Sequence, residues 1–117
     1  HITKNTFIVV ATRGHRYDSD ALAAAAKTAA TYVGLLGSKR KIILIYEDLV
    51  KMGLSRDRIK ELRAPIGLEI NARTPDEIAI SIMSEILMVR LGGSGENMKL
   101  DDKLIEKIFS KHTKVLR

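Results

Sequence analysis

Cysteine is absent from the 117 residues, and so is tryptophan. Without a thiol the segment has no disulfide framework, no thiolate metal site and no covalent sulfur or persulfide chemistry of its own, and a reducing, cytoplasmic setting is expected. Aromatic residues make up only 4% of the chain, too few for the stacked rings on which single-stranded nucleic acids lie, so no nucleic-acid partner is expected. No apolar run approaches the roughly 20 residues of a membrane span, and no charged start leading into an apolar core marks a signal peptide, so no membrane is expected either. The dinucleotide fingerprint of three spaced glycines after a strand is missing. Neither Gly34-Leu35-Leu36-Gly37 nor Gly92-Gly93-Ser94-Gly95 has its spacing and context. No nucleophile stands beside a base, and His1 and His112, near the two ends, lack the spaced partners of a metal site.

What remains is ordinary material for one globular core: 45% hydrophobic and 29% charged residues in the length of a single domain. The formal charge of +6 is spread along the chain, with 14 Lys and Arg against 10 Asp and Glu up to Gly92 and 6 against 4 beyond it. Such an excess favours encounter with acidic ligands without naming any.

Residues 6–11 form a short β-branched run, the pattern of a strand buried on both faces of a parallel sheet. Asp18 or Ser19 is placed to cap an alanine-rich helix from about 20 to 30, and a second buried run follows at 31–36. Strand, helix and strand make a right-handed βαβ unit, the building block of doubly wound sheets. Gly37 and Ser38 then open a helix with a wide apolar stripe ending at Gly53, and Ser55 caps a short helix from 56 to 62. The clearest local signal is Thr74-Pro75-Asp76-Glu77, a capping box with proline at the first helical position. The helix it opens, to about Leu91, has few polar interruptions and is expected to be largely buried. Gly92 to Gly95 form a joint, and Asp101 or Asp102 starts an amphipathic tail helix with Leu104, Ile105, Ile108 and Phe109 on one side. The expected division is a domain over 1–92, followed by a linker and tail helix over 93–117.

The fold expected is therefore α/β, a partial Rossmann-like parallel sheet with flanking helices. Two clear strands, with a third open, are fewer than the four to six such sheets carry. The exposed edge calls for pairing with an upstream segment, which the start at His1 without Met also suggests, or with another copy of the chain as a homo-oligomer.

In open parallel sheets, ligands bind beyond the carboxyl ends of the strands. The first strand delivers Thr12, Arg13, His15 and Asp18 there, and the second delivers Gly37, Ser38, Lys39 and Arg40. Free amides, a positive helix end, a serine hydroxyl and two cations outline an anion site at the second. The alternative is a merely solvated first turn. His15 suits either acid–base or ligand contact, or a local loop hydrogen bond. Pro65 and Gly67 shape a structured loop, which is as well explained by helix positioning as by binding. Asp76 and Glu77 are explained by capping, leaving Glu69 open.

Four motifs in order resemble one known family. They are Thr12-Arg13-Gly14-His15-Arg16-Tyr17-Asp18, Tyr32-Val33-Gly34-Leu35-Leu36-Gly37-Ser38-Lys39-Arg40-Lys41, Ala64-Pro65-Ile66-Gly67-Leu68-Glu69-Ile70, and Thr74-Pro75-Asp76-Glu77-Ile78-Ala79-Ile80-Ser81-Ile82. Over about residues 6 to 91 they are similar to the C-terminal Rossmann-like domain of the XdhC/CoxI family, the accessory factors of xanthine dehydrogenase and carbon monoxide dehydrogenase. The resemblance implies a chaperone, not an enzyme. It would carry the molybdenum cofactor (molybdopterin) as transient cargo, assist its sulfuration by a cysteine desulfurase, and insert it into a molybdenum hydroxylase such as xanthine dehydrogenase. The cofactor-binding residues it implies are Thr12, Arg13, His15, Asp18, Gly34, Gly37, Ser38, Lys39, Arg40, Pro65 and Gly67. The glycine-rich loop that opens the family's domain has no match here, in keeping with an upstream half. An NAD(P)-binding oxidoreductase and a non-catalytic interaction module are the alternatives.

Overall fold

The structure, a computed structural model, describes residues 1–112 with the exception of the His15 side chain. β1 (Phe7–Val10) and β2 (Tyr32–Leu35) pair in parallel, from Phe7 beside Tyr32 to Val10 beside Leu35, and α1 (His15–Ala26) connects them. Because side chains alternate along a strand, Ile8, Val10, Val33 and Leu35 share one face of this sheet. That face carries the core. Leu22, Ala23, Ala25 and Ala26 of α1 pack on it, their small side chains allowing close approach, and α2 (Lys39–Lys51) adds Ile42, Ile45 and Leu49 at helical spacing.

Helix α1 departs from the expected helix over 20–30. It starts five residues sooner, with Gly14 at its N-cap at a positive φ of 95° that favours glycine, and neither Asp18 nor Ser19 is a cap. Both lie buried inside the first turns, where their side chains bond across to other segments. The other caps follow the sequence: Ser38 on α2, Ser55 on α3 (Arg56–Glu61), and the full capping box of Thr74 and Glu77 with Pro75 on α4 (Pro75–Leu91). A left-handed Gly92 ends α4.

A third segment, residues 63–66, lies along the other side of β2. The Arg63 amide donates to the Val33 carbonyl (2.9 Å), Leu35 donates to Arg63 (3.0 Å) and Ile66 donates to Leu35 (3.0 Å). Gly34 makes this approach possible, since a Cβ there would stand 2.6 Å from Cδ1 of Ile66. The Ala64–Pro65 peptide is cis. The other side of β1 has no strand beside it among the described residues. The α/β, partial Rossmann-like sheet expected from sequence is the architecture found.

The expectation of a largely buried α4 is wrong. Its buried residues are Ser81 and Glu85, whereas Ile80, Met83, Leu87 and Leu91 are exposed. The fully buried contacts of α4 are polar ones through Ser81 and Glu85, Ile78, Ile82 and Ile86 are only half-buried, and no described element covers Ile80, Met83, Leu87 and Leu91. α5 (Asp102–His112) stands apart, with Leu104, Ile108 and Phe109 exposed. The Cα radius of gyration of 19.8 Å against about 13 Å for a compact chain of this size reflects that separation. The last five residues of the tail assigned to 93–117 lie outside the described residues.

Candidate functional site

Three chain segments emerge at the carboxyl end of the sheet: residues 12–14 after β1, 36–40 after β2, and 66–71 after the third segment. The first two are held side by side where the Leu36 amide donates to the Val10 carbonyl, 3.0 Å away.

Asp18 is the pivot between them. Its side chain is wholly buried, one oxygen accepts from the Thr12 hydroxyl, and the other pairs with the Lys41 ammonium in the first turn of α2. Burial pushes its carboxyl up, but the bonds from Lys41 and Thr12 outweigh that and hold it below the ordinary carboxylate value. The buried residue is therefore an ionised, doubly partnered carboxylate. It also stands in the first turn of α1, where the helix dipole favours negative charge. Ser19 next to it donates to Asp48 of α2 (2.8 Å), a second tie between the two helices.

At the start of α2, the Ser38 oxygen accepts from the Lys41 amide (3.2 Å). Gly37 fits closely beneath, where a Cβ would stand 3.3 Å from Ile42 Cδ1. Lys39 and Arg40 are exposed, as is Arg13 on the facing loop. Lys41 differs from its two neighbours because Asp18 neutralises it. His15 is the first residue of α1, and its side chain lies outside what is described.

The remaining expected residues sit elsewhere. Gly34 is inside β2 beneath Ile66. Pro65 is exposed and lines an apolar groove of about 490 Å³ with Lys39, Ile43 and Tyr46. Gly67 (φ 100°) is pressed against α4, where a Cβ would stand 2.3 Å from Ser81 Oγ. Glu69 is exposed and accepts from the Asn71 amide in a local turn.

Sequence reasoning passed over the cluster around Glu85. This buried carboxylate accepts from the Tyr32 hydroxyl (2.7 Å) and the Gly67 amide (3.1 Å), and Arg63 lies 3.9 Å away. Burial first, then Glu85, pushes the Tyr32 hydroxyl far above its usual range. Ser81, one turn earlier, donates to the Leu68 carbonyl (2.6 Å). The available signal was the i, i+4 spacing of Ser81 and Glu85, which puts two polar residues on one face of a largely apolar helix. Among the described residues, no group of three His, Cys, Asp or Glu could hold a metal. No helix there is long and apolar enough to cross a membrane.

Residues 1–86 match the family model of the XdhC Rossmann domain. The chain is 37% identical over 94 residues, 80% of its length, to the uncharacterized protein YqeB of Escherichia coli. It is 31% identical over 90 residues, 77% of its length, to the molybdenum cofactor insertion chaperone PaoD of the same organism. It spans 17% and 28% of those two relatives. Among solved structures, a xanthine dehydrogenase from Bacillus halodurans is similar with a TM-score of 0.63 and 26% identity, over 84% of this chain and 27% of that one. With four motifs in order, a partial parallel sheet and a family match over most of its length, the chain belongs to the XdhC family and carries its Rossmann domain.

Proposed function

We propose that this chain works in the maturation of molybdenum hydroxylases, as the part of a chaperone that receives the molybdenum cofactor and passes it to an apo-enzyme of the xanthine dehydrogenase or carbon monoxide dehydrogenase kind. The observation that carries this reading is the 31% identity to a molybdenum cofactor insertion chaperone across 77% of the chain. The carboxyl end of the sheet supports it. A phosphorylated pterin suits a place where the first turn of α2 offers free amides and the positive helix end, with Ser38, Lys39 and Arg40 around them and Arg13 on the facing loop. Gly34, Gly37, Pro65 and Gly67 shape the ground beneath the cargo rather than grip it.

With no cysteine in this stretch of chain, the sulfur chemistry resides in a partner, a cysteine desulfurase, or in an upstream half, while the cargo is held here. The open edge of β1 and the apolar side of α4 pair with further chain, an upstream half or a second copy.

The test is to express a molybdenum hydroxylase with this protein, without it, and with its Arg13→Ala variant, and to measure the sulfurated cofactor in the purified hydroxylase. Loading that depends on the protein and falls with the variant is the expected result. Equal loading in all three cases, or turnover of NAD(P) by the purified protein alone, overturns the reading and puts an oxidoreductase in its place.

A further inference from the structure

We propose that the groove between α2 and α3 is a docking site for an amphipathic helix with acidic flanks, carried by a partner protein.

Lys39, Ile43, Tyr46 and Val50 of α2 stand at i, i+4, i+7 and i+11, which places them along one side of that helix. They form one wall of the apolar groove, and Ile59 of α3 with Ala64 and Pro65 forms the other. The α2 wall runs for roughly 16 Å, about three helical turns. A second cavity of about 570 Å³ shares Val50 and Ile59 with the first and continues it past Leu54 to Arg56 and Lys60. The two make one continuous cleft. Its apolar side chains are not spent on the core, since Val50 is 64% and Ile43 53% exposed while Tyr46 and Ile59 are half-buried. An apolar surface of this kind marks an interaction site.

The position and charge of the cleft decide what fills it. The open edge of β1 lies on the far side of β2 from Ala64 and Pro65, so strands added at that edge extend the sheet away from the cleft. The tail helix is unsuited as well, because the apolar residues Leu104 and Ile108 of α5 are flanked by Lys107 and Lys111. Among the described residues lining the cleft, the cations are Lys39 at one end and Arg56 and Lys60 at the other, and the acid is Glu47. Lysines would meet cations there, whereas acidic groups beside an apolar stripe complement the rim, and such complementarity selects a partner.

The walls also select a shape. Helices α2 and α3 spend their amides within their own turns, and Pro65 has no amide proton. An extended segment laid here finds no row of backbone partners. A helix bonds its own backbone and needs only an apolar face, with anchors at i, i+3 or i+4 and i+7. A two-walled cleft likewise fits a rod better than the flat surface of a bilayer.

Two synthetic helical peptides test the proposal, both with leucines at i, i+4, i+7 and i+11, one flanked by glutamates and the other by lysines. Fluorescence anisotropy should show the acidic peptide binding the protein about tenfold more tightly than the basic one. Val50→Glu, at an exposed position, should remove that binding with an unaltered melting temperature, and Arg56→Glu combined with Lys60→Glu should turn the preference toward the basic peptide. Lys39 is left unchanged because the proposed anion site uses it, so a failure here leaves that site standing. Equal affinity for the two peptides, no binding of either, or acidic-peptide binding that survives Val50→Glu overturns the proposal. If Val50→Glu lowers the melting temperature, the charge-reversed variant decides alone, and an unchanged preference there overturns it. Wild-type dimers that Val50→Glu abolishes would give the cleft to a second copy, and binding to phosphatidylglycerol vesicles that Val50→Glu abolishes would give it to a membrane; either result also overturns the proposal.

Discussion

The two faces of the small sheet are built on opposite plans. On the α1 and α2 side the contacts are apolar, from Leu22, Ile45 and Leu49 to Val33 and Leu35, all wholly or nearly wholly buried. On the α4 side the buried contacts are polar, Glu85 with Tyr32 and Gly67 and Ser81 with Leu68, while Ile80, Met83 and Leu87 look outward. The difference teaches that apolar composition does not decide what a helix buries. The first face is a finished core. The second is fastened by a few directional bonds, with an apolar surface left for something else to cover.

A graded set of substitutions breaks the comparison if it is wrong. Leu22→Ala, in the finished core, should lower stability by about 2–5 kcal/mol in urea or guanidinium unfolding. Glu85→Ala leaves the Tyr32 hydroxyl and the Gly67 amide without their acceptor and should cost about 1–3 kcal/mol. Ile80→Ala, on the exposed side of α4, should fall within about 0.5 kcal/mol of wild type. An Ile80→Ala loss as large as that of Leu22→Ala would mean that the α4 surface is already covered in solution, by another copy of the chain.

The same contrast explains what could be read from the sequence. The first face was legible because each of its signals is local: a β-branched run for β1, apolar spacing for α2, and capping residues at Ser38 and Ser55 whose chemistry acts within one turn. The start of α1 was missed because Asp18 looks like a cap and instead reaches Thr12 and Lys41, one of them 23 positions away in sequence. The burial of α4 was misjudged for a related reason. Periodicity reports how apolar a helix is, not whether the surface that would cover it belongs to the same stretch of chain. At the site, the strand-end position of Thr12 and Ser38 was legible. The separation of Lys41 from Lys39 and Arg40 was not, since three consecutive cations look alike until the fold puts a carboxylate under one of them.

Acid should sharpen the contrast. The folded Asp18 carboxyl titrates below its unfolded value because Lys41 and Thr12 overcome the effect of burial. Its contribution is therefore fully present above the unfolded value, near 4, and is lost as pH falls through the lower folded one. Unfolding measured against pH should show wild type losing stability below about pH 4. Thr12→Val, which removes one of the two groups that stabilise the charge, should flatten that acid limb. An acid limb of the same steepness in the variant would mean that Thr12 does not help hold the carboxylate.

The smallest expected effect on stability accompanies a clear effect on binding. Lys39 and Arg40 are exposed in the first turn of α2, and no ion pair fixes either among the described residues. Surface charges of this kind contribute little to folding, so Lys39→Ala combined with Arg40→Ala should leave stability within about 0.5 kcal/mol of wild type. On the proposed reading of the site, phosphate binding depends on the same two side chains, because the helix end alone contributes only about 0.3–1 kcal/mol toward an anion. Removing both cations should weaken inorganic phosphate by about tenfold or more, as expected for charge-assisted hydrogen bonds. The wild-type affinity should fall more steeply with added salt than the residual affinity of the variant, since screening acts on exposed charges. Lys41→Met is the internal control, because Asp18 already neutralises that cation in the folded protein. It should disturb folding more than the double substitution does, by leaving a buried carboxylate without its counter-charge. A double variant that binds phosphate as well as wild type would place the anion away from α2 and leave the two strand-end loops without a shared ligand.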